Sequence, residues 1–231
     1  MADVNILAQI IPLSWAAAVS PTALSVFLVM MSMSDNPKIS GLSFYLGALC
    51  VLLVTVFLGI LLGNSLTNSG HSDPGTVAAI DLFLGAILVL LGIRSAFFKE
   101  SRNSGSLMKY LQIDVDVSSF AKFRRYFSIG LLTFLINFST AIFVLAAGRE
   151  IGLAQLGIVS DLGAIVVLAV ITLIVVEVPL IFFLVLPQTA ERITEPLNQW
   201  ISTHSNYVMA VFCLAIGLLV IYNGVVRLGI I

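Results

Sequence analysis

The chain has 231 residues, of which 59% are apolar and 10% charged, and its net charge is −1. Soluble proteins typically hold roughly 45–50% apolar and about 25% charged residues, so no single compact core could hide this much apolar surface behind so few charges. These figures exclude a soluble globular enzyme and a disordered chain, and without a basic face the chain is no nucleic-acid binder; they fit a bilayer, where one spanning helix takes about 20 apolar residues and six take roughly 130.

Six apolar stretches follow in chain order: Ile6 to Met33, Leu42 to Leu62, Val77 to Phe98, Phe127 to Ala147, Ala164 to Leu186 and Tyr207 to Leu228. Val, Ile, Leu and Phe cover all their faces, which predicts lipid-embedded helices. The short alternating segments of a membrane barrel are not visible. Ala16-Ala17-Ala18 resembles a signal-peptide cleavage region, but the preceding residues carry Asp3 and no Lys or Arg. The positive n-region is missing, so a retained helix is expected.

Lys and Arg predict the orientation. With the N-terminus outside, the cytoplasmic side receives Lys38, Arg94, Lys99, Arg102, Lys109, Lys122, Arg124, Arg125 and Arg192, and the outside only Arg149 and Arg227. Under the positive-inside rule that places both termini outside the cell membrane. Residues 1–98 then form a first three-helix unit, 99–126 a cytoplasmic loop, and 127–231 a second three-helix unit. Within the loop, Leu107 to Tyr126 mixes apolar residues with Lys122, Arg124 and Arg125, as an interfacial amphipathic helix would. The plain alternative is a stop signal that fixes topology.

The two cysteines, Cys50 and Cys213, sit alone in helices two and six and read as packing residues. His71 and His204 fall in loops and suggest no metal site; no cofactor is expected. Asn137-Phe138-Ser139 matches a glycosylation pattern but lies inside a helix, where it has no such use.

The halves resemble one another. Ser20-Pro21-Thr22-Ala23-Leu24 in helix one matches Phe138-Ser139-Thr140-Ala141-Ile142 in helix four, and helices three and six each carry a mid-helix glycine, Gly85 and Gly217. Three helices per unit is odd, so the second unit enters from the opposite side. That is an inverted-topology repeat, the arrangement of many secondary transporters, whose substrate sites lie near the midplane.

Such a site needs polar groups at depth. Pro21 kinks helix one and frees a backbone carbonyl, with Ser20 and Thr22 beside it. Asn137, Ser139 and Thr140 fall at a similar depth in helix four. These six residues are the candidate substrate-binding set; the bland alternative is bends and packing contacts. Glu177, in Val175-Val176-Glu177-Val178-Pro179, lies too deep to reach water easily. An acid there costs several kcal/mol and marks a proton or ion path by default, so Glu177 is the candidate for proton coupling. It could instead be a protonated acid that glues two helices, and Pro179 is a candidate helix break beside it. Asp81 and Arg94 are too far apart on helix three to pair and read as helix-end anchors. Asp81 and Asn223 are secondary site candidates, and Tyr222 could line the same cavity.

Ala18-Val19-Ser20-Pro21-Thr22-Ala23-Leu24, followed by Lys38-Ile39-Ser40-Gly41-Leu42-Ser43-Phe44-Tyr45-Leu46-Gly47, resembles the opening of the GAP family. These are the sulfolipid or peptidoglycolipid addressing proteins of the LysE transporter superfamily. The likeness continues through Leu84 to Arg94 and through Trp200-Ile201 and Val208 to Val211. The family's fourth helix usually carries Asn-Pro and then Lys; here Asn137 is followed by Phe138-Ser139. Helices one and four hold no Cys, which argues against a thiol-disulfide carrier. The resemblance implies a six-helix exporter of a small molecule, ion or lipid-linked compound, with membrane lipids and its substrate as partners and a homodimer as an assembly. A non-transporting accessory subunit or scaffold for lipid synthesis or export is the alternative. An intramembrane enzyme lacks the paired groups it would need.

Overall fold

The computed structural model describes residues 2–34, 36–68, 74–97, 118–185 and 187–229. They form α1 (Ala2–Ala18), α2 (Pro21–Ser32), α3 (Pro37–Asn68), α4 (Pro74–Phe97), α5 (Ser119–Ile136), α6 (Phe138–Ala154), α7 (Ile158–Val185) and α8 (Pro187–Arg227). Four segments are long and apolar enough to cross a membrane unbroken: α3, α4, α7 and the Tyr207–Arg227 part of α8. Two further candidates are bent pairs, α1 with α2 at 52° and α5 with α6 at 77°, which bring the number to six if each pair is one span. The chain is a multi-pass membrane protein.

The first and fourth stretches are therefore broken rather than continuous. Proline explains the first break. Pro21 has no N–H to give the carbonyl one turn back and its ring collides with that turn. It stands at the first position of α2, where the missing donor does no harm. Ser20 caps that helix, its Oγ accepting from the Ala23 backbone N–H at 3.2 Å. The second break has no proline: Asn137 leaves helical geometry at φ −80° and ψ 78°, and α6 starts at the next residue. Two breaks thus form with one proline between them. Pro179, by contrast, lies inside an unbroken α7.

Other boundaries also shift. α5 begins at Ser119, so Lys122, Arg124 and Arg125 ride on its first turns; the rest of the expected interfacial helix, through residue 117, lies outside the described residues, as does His71. His204 is on α8 rather than in a loop, because α8 runs unbroken from Pro187. Cys213 is buried and Cys50 exposed, both free thiols.

Glycines set the packing. Lipid tails give helices no hydrophobic reason to associate, so small residues that let backbones touch take over. A Cβ on Gly59 of α3 would lie 2.6 Å from the Leu145 carbonyl of α6, and one on Gly148 of α6 2.6 Å from the Val56 carbonyl of α3. Gly85 of α4 and Gly217 of α8 face each other: a Cβ on either would stand 2.9 and 3.1 Å from the other's carbonyl. Large apolar side chains such as Phe57, Phe83, Leu90 and Ile181 point outward instead, where lipid would receive them. Replacing Gly148 by Leu should lower stability by about 2 kcal/mol or more, since the clash is with backbone that cannot yield. Thermal unfolding in detergent reads this out, and an unchanged midpoint would mean that α3 and α6 do not touch there.

Candidate functional site

The two helix breaks meet. Pro21 leaves the carbonyl of Ala17, four residues earlier, without an intrahelical donor. Thr140 Oγ1, from the first turn of α6, donates to that oxygen at 3.1 Å. The Asn137 side-chain amide donates to Ser20 Oγ, and Ser139 Oγ donates back to Asn137 Oδ1 at 3.0 Å. Ser20 and Thr140 are buried. The first turns of α2 and α6 both open onto this cluster, so two positive helix ends converge there. Hydroxyls, an amide and two helix N-termini form a neutral, donor-rich centre suited to a polar or anionic group. Four of the six proposed binding residues, Ser20, Asn137, Ser139 and Thr140, thus share one hydrogen-bonded cluster. Pro21 supports it through the backbone, while Thr22 is exposed and outside it.

Glu177 lies elsewhere in the bundle. Tyr45 of α3 donates its hydroxyl proton to Glu177 Oε1 of α7 at 3.0 Å. The acid is only partly buried. This bond joins the two halves of the chain and keeps one carboxylate oxygen occupied.

The largest departure from expectation concerns charge. Asp81 does not anchor a helix end: it is 3% exposed and pairs with Arg149, which is 1% exposed. Arg149 also reaches Glu150 at 2.6 Å, and Arg227 completes the group with Asp81 at 3.3 Å and Glu150 at 3.2 Å. Two cations and two acids from α4, α6 and α8 form a closed quartet of balanced charge. Arg149 and Arg227, read from sequence as marking the outer loops, both belong to helices and to this quartet. One signal was available: Gly148-Arg149-Glu150-Ile151-Gly152 sets opposite charges between two close-packing glycines, within an apolar surround. Asn223 and Asp81 both line the cavity beside the quartet; Tyr222 is 56% exposed.

A bundle of apolar helices, with two bent pairs whose breaks are joined by polar side chains, is the architecture of a polytopic membrane protein with an internal polar centre. The model of the family described as "Sap, sulfolipid-1-addressing protein" matches residues 10–226. The chain belongs to that family, whose name refers to the addressing of sulfolipid-1. Searches among curated proteins and among solved structures found no match.

Two measurements test this geometry. Thr140→Val removes the donor to the Ala17 carbonyl and should cost about 1 kcal/mol, the usual size of an interhelical hydrogen bond in a membrane. Asp81→Ala leaves Arg149 short of a partner in a buried site and should cost about 3–5 kcal/mol. Thermal unfolding of the purified variants that ranked them in the reverse order would contradict the quartet as described.

Proposed function

We propose that the chain is a secondary exporter rather than an enzyme or a scaffold, built as an inverted three-plus-three repeat in the plasma membrane with both termini outside. The observation that carries this reading is the bond between Asn137 and Ser20, where the break of one half meets the break of the other. Unwound backbone is tolerated at membrane depth only where protein or a polar cavity receives it, and broken helices at the midplane are where such carriers hold their substrates. The pairing of α4 with α8 through Gly85 and Gly217 fits a pseudo-twofold relation between halves, because each glycine meets its counterpart. A place in the LysE transporter superfamily, which the sequence resemblance implies, is part of this reading.

Ser20, Asn137, Ser139 and Thr140 bind a polar group of the substrate, with Pro21 holding the break open and Thr22 at its margin. Glu177, released by Tyr45, carries the coupling proton. The family description favours a lipid-linked cargo. A polar cluster at mid-depth supports the exporter over an accessory subunit, which would need no such centre.

Efflux of a sulfated glycolipid from proteoliposomes under an imposed pH gradient tests the reading. Asn137→Ala should depress flux with or without the gradient, by removing a substrate contact. Glu177→Gln should abolish the response to the gradient while leaving downhill flux. A full pH response in the Glu177→Gln protein would remove that residue from the coupling, and absence of flux in the wild type would favour the accessory role.

A further inference from the structure

The charged quartet carries a feature its ion pairs do not explain. A guanidinium has five N–H groups. Arg149 gives both protons of Nη2 to Asp81 Oδ1 and Glu150 Oε1. Its Nε and Nη1 are buried and have no partner among the described residues, which leaves three donors unused. Arg149 also borders a cavity of about 180 Å³, open on one side, between α1, α4, α6 and α8; the side chain is 1% exposed, so its free donors meet a ligand there after a small shift of the guanidinium. At roughly 30 Å³ per water molecule that is space for about six waters, or for one tetrahedral oxyanion and the first carbons of a chain. Leu13, Leu84, Ala146 and Ile216 make its wall apolar, and Gln9 and Asn223 add amide groups.

We propose that this cavity is an oxyanion-binding site, in which Arg149 holds a phosphate, sulfate or carboxylate group through its unused N–H donors. The ligand chemistry follows from the donors. An arginine accepts no hydrogen bonds, so whatever meets it must supply acceptor oxygens, and anionic ones bind about twice as strongly as neutral ones. Asp81 and Glu150 also line the cavity, and Asp81 Oδ2 has no hydrogen bond among the described residues, but Arg149 and Arg227 leave the quartet neutral as a whole, so the ligand is held on the guanidinium edge turned from the acids. The apolar wall receives the carbon next to the anion. This site is separate from the cluster at the helix breaks and stands whether or not that cluster transports.

The test uses the full-length protein in phosphatidylcholine nanodiscs. One arm adds phosphatidic acid to the bilayer and measures its retention by native mass spectrometry; the other titrates inorganic phosphate in the absence of acidic lipid and follows thermal stability. Binding in the first arm alone identifies a lipid headgroup as the source of the oxyanion, and binding in the second a free anion; either supports the site. Arg149→Gln should weaken binding about tenfold or more, the loss expected when charged hydrogen bonds are removed. That variant leaves two buried acids sharing Arg227 alone and can fail to fold, so Ala146→Leu is the second: it fills the cavity from the apolar wall and leaves all four charges in place. Ala146→Leu should fold, with a normal unfolding midpoint without ligand, and lose binding to the same extent. A folded Ala146→Leu protein that binds as well as wild type overturns the proposal. So does a wild type that binds neither probe, since water alone would then serve Arg149.

Discussion

Hydrocarbon offers no hydrogen bonds, and the bond from Thr140 to the Ala17 carbonyl shows how the centre of this protein answers that constraint. Once Pro21 interrupts α1, the carbonyl behind it must find a donor or remain unsatisfied at a cost of several kcal/mol. Among the described residues, none in the first half supplies it. The donor comes from the other half of the chain, at the start of a helix that is itself interrupted. One break therefore fixes the position of the other, and the two halves are locked together where each is locally least regular.

α6 is held on three sides by different kinds of contact. Against α3 it presents Gly148, and Gly152 one turn on, so that carbonyls and Cα atoms touch directly. Against α1 it presents the hydroxyl of Thr140, with Asn137 at its cap reaching Ser20. Against α4 and α8 it presents Arg149 and Glu150. Close packing without side chains and strong bonds with them alternate around one short helix. The arrangement is consistent because the small residues on one face bring the backbone near enough for the polar residues on the others to reach.

Much of this was legible in the sequence. The apolar stretches were, because a bilayer demands a length and composition that few other settings demand. So was the first break, because proline acts on its own backbone and the effect is local. The grouping of Ser20 with Asn137, Ser139 and Thr140 was legible as a similar depth in the first and fourth stretches, though not as hydrogen bonds. The second break was not, since Asn137 has no intrinsic veto on helix and its conformation answers to tertiary contacts. The quartet was missed for a different reason. Counting Lys and Arg to assign loops treats each charge as seeking water, and so the fourth stretch was ended at Ala147, two residues short of Arg149. A charge that is neutralised by Asp81, 68 residues earlier in the chain, no longer obeys that count.

The two polar centres are connected by rigid structure. Arg149 lies twelve residues beyond Asn137 on the same helix, about 18 Å at 1.5 Å per residue. Glycine contacts hold α6 to α3 along one face, and the bend at Asn137 is a non-helical joint. Turning α6 by about 5° at that joint would carry the Arg149 backbone by roughly 1.5 Å over such a lever, enough to spoil a charged hydrogen bond whose donor and acceptor sit on different helices. Asp81 belongs to α4 and Arg227 to α8, so neither follows α6 when it turns. Glu150 does follow, and it would exchange Arg227 for solvent. The neutral cluster at the breaks and the charged cluster at the end of the bundle therefore constrain one another mechanically: the ion pairs hold the bend at its observed angle, and the bonds at the bend hold Arg149 against Asp81.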